Sequence, residues 1–205
     1  MRKGNIMSDI RSNKCVFVSH CVLAQFTMAN GLVKKFPSII KPVILFCLEN
    51  DINIIQMPCP ETLCPAGGLG RTPHGKEWYE GNGLREVASS IASEQVAYMQ
   101  RLLDANNEVL AIIGVDFSPA CGINYLNKGP IIYKDQGIYI EELKNHMAKV
   151  NIEIPFIGIN QRAHKKLARQ LREMLTGMLG QENKPLESSD DNNSSGGQLS
   201  LFESN

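Results

Sequence analysis

Four short, β-branched apolar runs, interleaved with segments of helical period, constrain this chain more than any other feature. Residues 14–20 (KCVFVSH), 52–57 (INIIQM), 109–115 (VLAIIGV) and 154–159 (IPFIGI) have the length and content of strands, and those at 52–57 and 109–115 read as buried ones. Residues 42–49 open with Pro42, a residue suited to the first turn of a helix. Leu84, Val87, Ile91, Tyr98 and Leu102 share one helical face over residues 84–105. Ile140, Leu143, Met147 and Val150 mark another helix, and Leu167, Leu171, Met174 and Met178 mark a last one. Parallel strands need crossover connections, so this alternation predicts an α/β fold: a Rossmann-like parallel sheet of about four strands with helices on both faces. Right-handed crossovers would then set every strand exit along one edge of that sheet.

The chain has 205 residues, the size of one ordinary domain, expected over residues 1–182. Lys plus Arg balances Asp plus Glu at 21 each, which gives no field for direct nucleic-acid or membrane binding. The N-terminal residues lack the apolar centre of a signal peptide, and no run nears the ~20 apolar residues of a membrane span. A cytoplasmic protein is expected. Residues 64–83, rich in Gly and Pro, read as a loop. The six cysteines (15, 21, 47, 59, 64 and 121) do not have the density of a disulfide scaffold, so buried thiols and metal ligands are expected among them.

The run at 52–57 stops abruptly at Pro58-Cys59-Pro60-Glu61. Neither proline can donate a ladder hydrogen bond and each fixes its own φ, so Cys59 and Glu61 stand at a stiff strand exit. Open α/β sheets carry their chemistry at such exits. Cys21 and Cys121 fall just past two other predicted strands, the latter in Asp116-Phe-Ser-Pro-Ala-Cys-Gly122. Three thiols on one rim imply a soft metal, either zinc or an iron–sulfur cluster. Three protein ligands leave one coordination position open, as catalytic sites do. Each cysteine taken singly also suits a small buried residue. The absence of a C-x-x-C pair argues against zinc ribbons, thioredoxin-type motifs and ferredoxin spacing.

Val18-Ser-His-Cys-Val-Leu23, Pro58-Cys-Pro-Glu61 and Ser118-Pro-Ala-Cys-Gly122, in this order and spacing, resemble the thiouracil desulfurase family and its relatives over residues 16–122. Arg71, Trp78-Tyr79 and Leu84-Arg85 resemble a desulfidase branch of it. The resemblance implies that Cys21, Cys59 and Cys121 bind a [4Fe-4S] cluster. It implies an enzyme that removes sulfur from a small thiocarbonyl or thiolated compound, C=S becoming C=O with release of hydrosulfide. An iron without a thiolate ligand would serve as the Lewis acid. Ala24 and the Gly-rich loop after Cys64 depart from the family's commonest pattern, which bears on substrate identity.

Beside these ligands, Glu61 is the candidate for activating water or shuttling protons, with a surface or helix-start role as its alternative. Ser118 is the second catalytic candidate, able to hydrogen-bond a cluster sulfur or the substrate; its alternative is a turn role before Pro119. Asp116 is similar. His20 is a candidate substrate-side group, proton donor or zinc ligand, and Arg71 a candidate for orienting an anionic or carbonyl substrate. Cys64 follows Cys59 with four residues between them, and as a fourth thiolate it would close the site into a structural or electron-transfer centre. Cys15 and Cys47 read as core thiols, and His74, His146 and His164 as surface residues. Two other readings stand beside the enzyme: a non-enzymatic Fe–S or sulfide carrier that binds a partner, and a cysteine–zinc centre completed by His20.

Residues 183–205 contain ESSDDNNSSGG, which has nothing to bury, and are expected to form a disordered polar tail. The tail carries Gln198-Leu-Ser-Leu-Phe202, which resembles the short peptide by which bacterial DNA-metabolism proteins dock on the sliding clamp.

Overall fold

Alternation along the first strand decides the layering. In β1 (Lys14–Val18), Cys15 and Phe17 enter one apolar cluster and Val16 and Val18 enter another, so each face of the strand is covered. A computed structural model describes residues 10–161 and, beyond them, Arg169, Leu171, Glu173 and Gly177. Within it, β1 pairs in parallel with β2 (Asn53–Gln56) on one side and with β3 (Glu108–Val115) on the other, and β3 pairs in parallel with β6 (Phe156–Ile159). The four-stranded order is β2-β1-β3-β6. The expected parallel α/β sheet is therefore present, with its strand order reversing between β1 and β3. The crevice outside the C-terminal ends of those two strands is where open sheets bind ligands.

One face is covered by α5 (Leu84–Asp104) and α6 (Ile138–Lys149), which bring Leu84, Ala88, Ile91, Met99, Leu143 and Met147 against Phe17 and Ile112. The other face packs Val43, Phe46 and Cys47 of α2 (Lys41–Glu49), together with Leu171, on Val16, Val18 and Ile113. Between β1 and β3 the register shifts, Cys15 opposing Val109 and Val16 opposing Ala111. Leu110 is the extra residue of this bulge, which is why Leu110 and Ala111 enter the same cluster despite being adjacent.

Several expectations are corrected. Strand β2 is an edge, not a buried strand: Asn53 and Gln56 are exposed, Ile54 and Ile55 half-buried, and only the flanking Ile52 and Met57 are buried. Its polar side chains tie it inward, Asn53 Nδ2 donating to the Ser12 and Lys14 carbonyls and Gln56 Nε2 to that of His20. Strand β1 ends at Val18, because His20 begins the short helix α1 (His20–Leu23). The segment expected as loop from 64 to 83 holds α4 (Lys76–Glu80), and Pro60 opens α3 (Pro60–Leu63). A hairpin, β4 (Tyr125–Lys128) with β5 (Ile131–Lys134), interrupts the alternation before α6. Of the last predicted helix, Arg169, Leu171, Glu173 and Gly177 are helical and Leu171 is buried. The rest of that helix, His164, and the tail with its peptide 198–202 lie outside the described residues. No helix among the described residues is long and apolar enough to cross a membrane.

Candidate functional site

Each of the three sheet exits is shaped by local bonding that sets a cysteine at its tip. After β1, the Ser19 N–H donates to the Ile113 carbonyl at 2.9 Å and Cys21 enters the first turn of α1, its own carbonyl accepting from Gln25 Nε2. After β2, Pro60 takes the first helical position of α3, which leaves Cys59 as N-cap. The Cys59 carbonyl accepts from the Thr62 N–H and from Thr62 Oγ1 at 2.9 Å. After β3, Phe117 adopts φ +70°, a conformation costly for a side chain that bears a Cβ. The Asp116 carboxylate gathers the Ile123 and Asn124 N–H groups, and Ser118 Oγ accepts from the Cys121 N–H at 3.0 Å. This turn lies flat on the strand it leaves, since a Cβ on Gly114 would stand 2.3 Å from the Cys121 carbonyl oxygen.

Cys21, Cys59 and Cys121 all line one cavity of about 480 Å³, together with His20, Glu61, Arg71, Asp116 and Ser118. Every sequence-predicted site residue except Cys64 is thus brought to one place. Burial pushes the Cys21 thiol up to about 12, and Cys59 and Glu61 add to the shift. Burial likewise raises Cys59, and raises Cys121 well above the ordinary thiol, with the other two cysteines and Glu61 acting the same way. Left to themselves these are neutral thiols, and only a bound cation would make them thiolates. Among the described residues, no three His, Cys, Asp or Glu side chains are grouped tightly enough to hold a single metal ion.

Three buried side-chain atoms among the described residues lack a hydrogen-bond partner: Ser19 Oγ, Gln25 Oε1 and Tyr139 Oη. All three side chains neighbour the cysteines. Ser19 lines the cavity and its hydroxyl favours the Cys121 thiolate, without the geometry of a full hydrogen bond; Gln25 is bonded to the Cys21 carbonyl; and the Tyr139 hydroxyl lies within electrostatic reach of Cys121, which raises its pKa after burial does. A buried polar group left unpaired costs about 1–3 kcal/mol.

The carboxylate of Glu61, buried in α3, is shared between two systems. Arg71 Nη2 donates to Oε2 at 2.6 Å, Arg71 Nε at 3.1 Å and the Tyr79 hydroxyl at 3.3 Å. The other oxygen, Oε1, accepts from Ser118 Oγ at 2.9 Å. Arg71 Nη1 donates to the carbonyls of Thr27 and Gly68, so the guanidinium faces protein groups on several sides. Burial works against the Arg71 charge, but Glu61, with Tyr79 and Cys59 acting the same way, holds the pKa above the ordinary arginine value. Burial, and then Glu61, raise that of Tyr79. Arg71, read from sequence as a substrate-orienting group, is seen here holding Glu61.

His20 donates Nδ1–H to the Met57 carbonyl at 3.1 Å, linking the exits of β1 and β2. Cys64 is buried and directs its thiol to the Asn82 carbonyl, away from the cavity lining. His74, expected on the surface, lines the cavity and stacks on Trp78 with ring centroids 3.7 Å apart. His146 is half-buried and bonded to Ser89 Oγ. Cys15 and Cys47 are buried core thiols, as expected. Sequence reasoning missed Ser19 and the specific part of Tyr79, because neither lone residue carries periodicity. The signal that could have found them was their place inside two segments that carry the resemblance, Val18-Ser-His-Cys-Val-Leu23 and Trp78-Tyr79.

Residues 13–135 match the model of the family described as "Putative 2-thiouracil desulfurase". The chain belongs to this family. The desulfurase match spans β1 to β5 and contains all three cysteine turns. Over 168 residues the chain is 28% identical to an uncharacterised protein of Methanocaldococcus jannaschii, an alignment covering 81% of this chain and 99% of that one. It is also similar to a solved structure of a [4Fe-4S]-dependent thiouracil desulfidase, TudS, with a TM-score of 0.41 and 19% identity over 78% of this chain and 99% of the other.

Proposed function

We propose that this desulfurase-family chain is a hydrolytic desulfidase that holds a [4Fe-4S] cluster on Cys21, Cys59 and Cys121 and converts a small thiocarbonyl or thiolated compound to its oxygen counterpart. The observation that carries this reading is the meeting, in one cavity, of three buried thiols with a carboxylate–hydroxyl pair, Glu61 and Ser118, 2.9 Å apart. The donor set fits the cluster by its chemistry: three soft thiols lining one cavity, beside a buried hydroxyl that has no acceptor. Free thiols suit a reducing compartment, and the cytoplasm is our reading of location.

When bound, the cluster supplies an iron without a protein ligand, a Lewis acid for soft sulfur. The chain's own residues supply the proton path. Ser118 Oγ bridges the cavity and Glu61 Oε1, so a proton leaving the attacking water passes through the hydroxyl to the carboxylate and returns from there to the departing sulfur. The sum is C=S plus water giving C=O plus hydrogen sulfide, with no electron transferred. Arg71 and Tyr79 hold the second carboxylate oxygen and so fix the direction of the first. The His74–Trp78 stack and Phe117 offer the cavity a flat apolar wall for a planar ring.

The test is anaerobic purification with iron, zinc and sulfide analysis, followed by assay of hydrosulfide release from thiolated bases. About four irons and four sulfides per chain are expected. They should be lost when Cys21, Cys59 or Cys121 becomes Ala and retained in Cys64→Ala. Glu61→Gln should keep the visible absorbance and lose turnover by about 10²-fold or more. One zinc and no inorganic sulfide would overturn the proposal.

A further inference from the structure

The hydroxyls that line the cavity differ in one respect. Thr27 Oγ1 donates to the Ala24 carbonyl at 2.7 Å and Ser118 Oγ donates to Glu61 Oε1. Ser19, 1% exposed, has no partner for its Oγ. Its position is dictated by the β1–β3 pairing. The Ser19 N–H is bonded to Ile113, and the next residue of β3, Gly114, carries the backbone of Cys121 directly on its Cα. Both residues line the cavity, and the Ser19 side chain acts directly on the Cys121 thiol. A neutral thiol is a weak acceptor, whereas a metal-bound thiolate sulfur is a strong one. A buried hydroxyl kept without a protein acceptor, beside a cysteine, is arranged for the second state and not the first.

We infer that Ser19 is a positioning residue for the metal centre, its hydroxyl donating a hydrogen bond to the Cys121 sulfur when that sulfur carries metal; the inference rests on the cluster reading above. Such a bond withdraws electron density from sulfur, eases reduction of the cluster and satisfies the orphaned hydroxyl. The metal-free chain is burdened by Ser19, and the loaded chain is helped by it.

That change of sign is the test. Wild type, Ser19→Ala and Ser19→Thr are prepared anaerobically, with the cluster and after its removal by chelation. Midpoint potentials of the loaded proteins are measured by spectroelectrochemistry, and melting temperatures in both states. Ser19→Ala should have a more negative potential than wild type, and Ser19→Thr, which keeps the hydroxyl, should restore it. Without the cluster Ser19→Ala should melt at or above wild type, and with the cluster below it. A wild-type potential in Ser19→Ala, or a lower melting temperature in both states, overturns this inference alone. A wild-type protein that holds no inorganic sulfide overturns the cluster reading and this inference with it.

Discussion

Arg71 turns its guanidinium inward, with Nε and Nη2 on Glu61 and Nη1 on two backbone carbonyls. Both members of the Arg71–Glu61 pair are buried, and removing one partner of a buried pair costs about 3–5 kcal/mol, because the other charge is left without compensation. Arg71→Met should therefore lower the unfolding free energy from a urea titration by an amount in that range. Lysine keeps the charge but is a point donor that cannot serve Glu61, Thr27 and Gly68 together, so Arg71→Lys should recover less than half of the loss. A lysine variant as stable as wild type would show that the fork is not used. This network was only partly legible in sequence. Arg71 and Glu61 stood out as charged residues near cysteines, but their pairing across ten positions of Gly-rich chain depends on the path of the loop, which no spacing rule describes.

The strand exits were legible because proline and glycine act locally. Pro58 and Pro60 end β2 whatever surrounds them, and Ser118-Pro119 turns the chain after β3. Two things were not legible. Whether β2 is central or an edge depends on which strand β1 chooses as its second neighbour, a long-range matter invisible in Ile54 and Ile55. The β4–β5 hairpin was hidden because its strands do not alternate cleanly, although Gly129-Pro130 between them is a turn signal. At this scale Gly114 is the decisive position, since the whole Ser118–Cys121 turn rests on its bare Cα. Gly114→Ala sets a methyl against a backbone carbonyl that cannot step aside alone. The expected result is a loss of about 1–3 kcal/mol in a urea titration, the magnitude of core overpacking, and a disproportionate fall in bound iron as Cys121 moves off its strand. Unchanged iron content would mean that the turn is not held by this contact.

Taken whole, the metal-free molecule carries thiols that are easier to ionise unfolded than folded. Burial pushes Cys15 and Cys47 up to about 11, against an ordinary value of about 8.5. Below the lower value both states keep the proton and the stabilisation is complete. Between the two values the unfolded chain releases protons that the folded chain retains, so stability falls as pH rises. Urea midpoints of metal-free protein should drop from about pH 8.5 to 11, and Cys15→Ala/Cys47→Ala should drop less steeply; parallel curves would refute the assignment. Beyond the domain, the peptide 198–202 remains our proposal for a docking segment on the bacterial sliding clamp. Fluorescence anisotropy of a labelled tail peptide should show saturable binding to clamp that is lost in Phe202→Ala, and no saturation at high micromolar clamp would remove the idea. The edge position of β2 has a last consequence. Cys21 and Cys121 leave the two paired inner strands, while Cys59 leaves the outermost one, which has a neighbour on one side only. The cluster we propose, gripped by all three, would act as a rivet through the margin of the sheet, and its residence time would be set by how seldom that margin frays.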